Sequence, residues 1–288
     1  MIASLIITFR ETLEAALIVG IVLSYLARTR QTRYNGVVYV GVASAIAASI
    51  VGALLFTNLA GGFTGRAEEI LEGIVMLIGA ALLTTMILWM MKQSHIATEL
   101  QDRVATEVGK ARRFGLFSLV FVSVLREGIE TVIFLGAATF ASRDASLIGA
   151  LAGIAAATLL GYAIFTGSMR IDLKMFFKIT SVLLILFAAG LIAQGIHELQ
   201  EARMVPTIIE HVWNINPAEN ADGTYPLLHE KGNIGSILKG LFGYNGDPSL
   251  IEVLSYFLYL SLVFIIWRRT GRTHKLTELR AQRGTAVE

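Results

Sequence analysis

Arg10-Glu11-Thr12-Leu13-Glu14 sits inside an apolar stretch running from about 2 to 27, and Arg126-Glu127-Gly128-Ile129-Glu130 sits inside another from about 114 to 140. Both read R-E-x-x-E. An ionisable residue in the middle of a membrane helix costs about 2.5–3.5 kcal/mol on the insertion scale, so it persists only facing a partner or a wet cavity. Neighbours at i+3 and i+4 share a helix face, so Glu11 projects with Glu14, and Arg10 lies one turn from Glu14. Glu127, Glu130 and Arg126 repeat the arrangement.

The surrounding chain explains why these six charges stand out. Of 288 residues, 55% are hydrophobic and 16% charged, with a mean hydropathy of +0.65. An ordinary soluble domain carries about 25% charge. The composition excludes a soluble enzyme, a disordered chain and a nucleic-acid-binding domain. Cysteine is absent and histidine occurs five times. Thiolate sites and disulfides are therefore excluded, and any metal must be held by oxygen or imidazole.

A spanning helix needs about 20 mostly apolar residues. Seven stretches qualify, at about 2–27, 36–57, 68–91, 114–140, 147–167, 174–197 and 249–267. The first has no basic leader or small-residue cleavage site and reads as a retained helix. All four prolines (Pro206, Pro217, Pro226, Pro248) fall between the sixth and seventh stretches, so a break in the first six would have to come from glycine, with Gly128 the candidate.

Each motif opens a three-helix unit. Three is odd, so the second unit must be inverted, which is a transporter architecture. The expectation is an all-α polytopic membrane protein of seven transmembrane helices, arranged as two inverted three-helix repeats plus one C-terminal helix. Its parts are a first repeat (1–93), a cytoplasmic amphipathic linker (94–113), a second repeat (114–199), an extracytoplasmic loop (200–248), a seventh helix (249–267) and a basic cytoplasmic tail (268–288). In the linker, Ile96, Leu100, Val104 and Val108 form a stripe suited to the inner membrane surface. Lys and Arg gather in the first, third and fifth loops and the tail, which places the N-terminus outside and the C-terminus in the cytoplasm of an inner membrane.

Two Arg–Glu pairs would lock the two motif helices together. That leaves one Glu per motif unexplained. Fully ionised, the six residues carry two net negative charges, which suits a cation. Carboxylates are hard ligands, so the spacing selects a multivalent hard cation such as Ca²⁺, Mg²⁺, Mn²⁺ or Fe³⁺.

The sequence resembles the oxidase-dependent iron transporters, the family of the fungal high-affinity iron permease and the bacterial EfeU-type ferric iron permeases. The paired R-E-x-x-E motifs carry the resemblance. So do Glu68-Glu69 with Glu72-Gly73, Trp89-Met90, His197-Glu198-Leu199-Gln200-Glu201, and Leu241 to Ser249. The resemblance implies a permease, not an enzyme, that moves Fe³⁺ supplied by an extracytoplasmic oxidising or delivery partner. Iron is then a substrate, with no permanently bound cofactor. The resemblance also implies metal ligands at Glu11, Glu14, Glu127 and Glu130, with Arg10 and Arg126 as ion-pair partners. A transporter or proton-coupled exchanger of another hard cation such as Mn²⁺ is the alternative.

Two further acidic groups fall on the outer side. Glu68, Glu69 and Glu72 open the third span, where a helix N-terminus favours acids. His197, Glu198 and Glu201 leave the sixth. Together they would form an outer funnel or secondary metal site. On the inner side, Asp172 beside Lys174 and Lys178 marks a release region. A retinal receptor is excluded because 249–267 contains no Lys, and loop 200–248 shows no nucleophile–base set for an enzyme.

Overall fold

Every regular element is a helix in the computed structural model, which describes residues 1–90, 96–109, 112–142, 146–167, 173–220 and 224–284. They are α1 (Ile2–Arg28), α2 (Asn35–Ala60, after a 3-10 turn at Thr32–Tyr34), α3 (Arg66–Met90), α4 (Ile96–Gly109), α5 (Arg113–Ser142), α6 (Leu147–Phe165), α7 (Leu173–Glu201), α8 (Asn233–Phe242) and α9 (Leu250–Gly284). No strand occurs among the described residues. Asp172 lies outside them.

Five helices (α2, α3, α6, α7 and α9) are long and apolar enough to cross a membrane. The other long helices, α1 with 27 residues and α5 with 30, each carry the three motif charges. The surface is apolar where lipid would lie. Ile46, Ile50, Leu54, Leu151, Leu159 and Leu258 are all more than half or nearly half exposed. A soluble protein rarely leaves so much apolar surface open. The chain is an integral membrane protein.

The helices pair between halves more than within them. α1 packs on α6, α2 on α5, α3 on α7, and α1 on α5. Exchanging α1, α2 and α3 for α5, α6 and α7 maps these four pairings onto themselves. A matched detail supports the exchange. Gly20 and Gly136 each stand ten residues after their motif Arg. The space a Cβ would fill at Gly20 is taken by the Phe165 ring of α6, and at Gly136 by the Phe56 ring of α2.

One expectation is corrected. α5 runs unbroken through Gly128. That glycine lets α2 approach closely, since a Cβ there would collide with the Ser49 hydroxyl. The described part of the α4 stripe packs against protein. Val104 is fully buried, with Leu100 and Val108, in a cluster containing Val22, Leu26 and Val38. α4 is amphipathic because it packs on α1 and α5. The segment 200–248 contains a helix. Its helix α8 folds back against α1, α5 and α7. Gly243 ends α8 in the left-handed conformation (φ +69°) and sits against Gly190, and a Cβ on either would strike the other's backbone. Gly190 lies eleven residues before the end of α7, about 16 Å along the axis at 1.5 Å per residue.

Candidate metal centre

The two motifs face each other where α1 crosses α5. In the first, Arg10 Nη1 donates to Glu11 Oε1 at 2.8 Å and Nη2 pairs with Glu14 Oε1 at 2.9 Å. In the second, Arg126 Nη2 lies 3.0 Å from Glu127 Oε1, and Nε lies 3.3 Å from Glu130 Oε1. Each arginine thus bridges the two glutamates of its own copy, as the i+1 and i+4 spacings allow.

Across the interface, carboxylate oxygens of Glu11, Glu14 and Glu127 lie within 4.8 Å of one another. Three of the four expected ligands therefore converge, while Glu130 stands with Arg126. The side chains of Glu11 and Glu127 are 1% and 3% exposed. Glu11 Oε2, Glu127 Oε2 and Glu130 Oε2 are buried and meet no hydrogen-bond donor. Buried carboxylate oxygens without donors are costly. A cation would satisfy them.

α3 closes the site from the side. Arg10 Nη1 also reaches Met86 Sδ at 3.0 Å, and Nη2 reaches Met90 Sδ at 3.2 Å. The Arg126 guanidinium lies over the Trp89 ring, 5.4 Å from its centroid. One turn of α3 thus touches both arginines. Apolar residues in an apolar helix carry no sequence signal for such a role, so only the structure reveals Met86.

The two further acidic groups lie in two separate places. Glu68 and Glu72 line a cavity of about 520 Å³ together with Ser4, Phe56, Thr139 and Leu147. These come from the starts of α1, α3 and α6 and the ends of α2 and α5, so adjacent spans run antiparallel. Glu69 is half-buried beside it. His197 goes elsewhere. Its Nε2 lies 3.3 Å from Glu201, and its Nδ1 lies 3.1 Å from Glu252 on α9. Glu198 is buried and accepts from Gln194 Nε2 at 3.3 Å.

Glu252 was not singled out from the sequence. It accepts from the Ser249 backbone N–H at 3.2 Å, while Ser249 Oγ accepts from the Glu252 N–H at 3.3 Å. That reciprocal pair is a capping box, and Ser249-Leu250-Ile251-Glu252 is its sequence signature. Asn245 Nδ2 also donates to Glu252, at 2.8 Å. The pair with His197 therefore ties the end of α7 to the start of α9.

Residues 1–273 match the model of the iron permease FTR1 family. The chain belongs to the FTR1 iron permease family. Members of this family are permeases rather than enzymes. The chain is 36% identical over 282 residues to the "Ferrous iron permease EfeU" of Escherichia coli O6:H1 (strain CFT073), covering 95% of this chain and 98% of that one. It is 35% identical over 273 residues to the protein of the same description from Yersinia pestis, covering 93% of each. No solved structure matches.

Proposed function

We propose that this FTR1 family member carries iron across the membrane, with the ion held by Glu11, Glu14, Glu127 and Glu130 between α1 and α5. The observation that carries the reading is the buried convergence of three carboxylates from two helices, with lone pairs left unsatisfied beside two arginines. A purely structural ion-pair lock would use those oxygens up.

The ionic charge follows from the same residues. Four ionised glutamates and two arginines leave two negative charges, which Fe²⁺ cancels and Fe³⁺ overshoots. The relatives' description as ferrous iron permeases favours the same choice. We therefore take Fe²⁺ as the cargo, in place of the Fe³⁺ that the resemblance implied.

Transport requires access from each side in turn. α1 and α5 join the five apolar helices to give seven spans, with 1–93 and 114–199 as inverted repeats. The exchangeable pairings and the matched Gly20–Phe165 and Gly136–Phe56 contacts support this. Rocking of one unit against the other would open the site alternately. The cavity lined by Glu68 and Glu72 serves as the outer approach, with the N-terminus outside and the basic tail in the cytoplasm of an inner membrane. An extracytoplasmic protein would deliver the iron there.

Uptake into proteoliposomes containing only this chain tests the reading. Glu14→Gln and Glu127→Gln should each abolish Fe²⁺ uptake while protein incorporation stays at the wild-type level. Uptake unchanged in both would sink it. Uptake of Fe³⁺ but not Fe²⁺ would restore the ferric assignment and its oxidising partner. Uptake of Mn²⁺ alone would move the substrate to another hard cation.

A further inference from the structure

The Arg10 side chain is fully buried, and two of its four closest polar contacts are thioethers. Sulfur is a weak hydrogen-bond acceptor. A guanidinium held at a site of its own choosing would take oxygen instead. Glu11 Oε2 and Glu127 Oε2, in the same site, are left without a hydrogen-bond partner. Instead the guanidinium occupies a cage of two carboxylate oxygens and two sulfurs, and its own Nε is left without an acceptor. That is poor use of a guanidinium's five donors, and a good nest for a small cation.

The sulfurs are placed by the helix. Met86 and Met90 are four residues apart on α3 and so stand one above the other on one face. Met86 is 7% exposed, locked among Met76, Leu83 and Phe134. Both sulfurs already point at the charge beside Glu11 and Glu14. Thioethers discriminate between cations. They add little for Ca²⁺, Mg²⁺ or Mn²⁺, which prefer oxygen, and more for metals that accept softer ligands.

We propose that Met86 and Met90 are ligands of the transported ion, and that they set its selectivity. Arg10 holds the place of the cation. Arriving Fe²⁺ takes the guanidinium's place in the cage and binds Glu11, Glu14 and Glu127 through oxygen and the two methionines through sulfur. No covalent bond is made or broken: the oxygen and sulfur ligands replace the ion's waters, and the freed guanidinium pairs with the glutamate oxygens that do not face the ion. The sulfurs favour Fe²⁺ over the harder Mn²⁺ and admit Cd²⁺ as a soft competitor. This rests on the glutamate site proposed above and deepens it by naming what chooses the metal.

The test compares Met86→Leu/Met90→Leu with wild type and Glu14→Gln in anaerobic proteoliposomes. Leu and Met have similar volumes, so the exchange conserves packing. Uptake of Fe²⁺ and Mn²⁺ is measured below saturation, with Cd²⁺ as inhibitor of Fe²⁺ uptake. In the double variant the ratio of Fe²⁺ to Mn²⁺ uptake should fall about tenfold, and Cd²⁺ should inhibit about tenfold more weakly. An unchanged ratio, or an equal loss for both ions, would overturn the proposal. Met90→Leu alone, at the half-buried position, should shift the ratio in the same direction and covers poor folding of the double variant. If Glu14→Gln is inactive while the methionine variants keep the wild-type ratio, the glutamate site stands and the thioether proposal falls. If Glu14→Gln still transports, the site itself has been misplaced.

Discussion

The two copies of R-E-x-x-E share a pattern but not an environment. Arg10 is fully buried, whereas the Arg126 side chain is 48% exposed. Both arginines bridge two glutamates of their own helix. The difference comes from α3, whose last turn offers two sulfurs to one arginine and the Trp89 ring to the other. A repeat therefore copies the charges, while a third helix decides how deeply each charge is buried. The first arginine is sealed in and the second borders the surface, while Glu11 and Glu127 are buried alike.

Removing the arginines should expose this inequality most strongly. Arg10→Ala strands Glu11 and Glu14, and breaking a buried pair in this way costs about 3–5 kcal/mol. Arg126→Ala removes a half-exposed partner and should cost about 1 kcal/mol or less. Thermal unfolding of the detergent-purified protein measures both, and equal losses would break the distinction. Iron sharpens it next. Fe²⁺ at about a hundredfold above its dissociation constant should stabilise the protein by about 2.7 kcal/mol. That gain should appear in wild type and in Arg126→Ala, and vanish in Glu14→Gln. The middle positions of the motifs come third. Gly128→Val drives a side chain into Ser49 and should cost about 1–3 kcal/mol, as overpacking does. Thr12→Val, at the matching place in the first copy, keeps a branched side chain and should melt closer to wild type. Smallest is Trp89→Leu, which removes a cation–π contact of about 0.5–1 kcal/mol at an exposed site. A loss larger than that of Gly128→Val would mean Trp89 does more than cover a guanidinium.

The long helices were legible because a membrane demands continuous apolar residues, and each expected stretch is helical. The motif glutamates were legible because charge in such a stretch has to be justified by a partner. What stayed hidden was context. Met86 looks like any core residue until its sulfur meets Arg10. The α4 stripe reads identically whether lipid or Val22 and Val38 cover it. Gly128 suggested a break because glycine weakens helices, but tertiary packing holds α5 straight and uses the missing Cβ for Ser49. α8 is ten residues long, too short to register as a membrane element by hydropathy. Glu252 is readable in the sequence only as a capping-box acid; its pair with His197 needs the fold.

The contact of Gly243 on Gly190 has a consequence for how the chain assembles. α8, whose end carries Gly243, is made after α7. During synthesis the bare backbone at Gly190 therefore waits, uncovered, for a segment more than forty residues downstream.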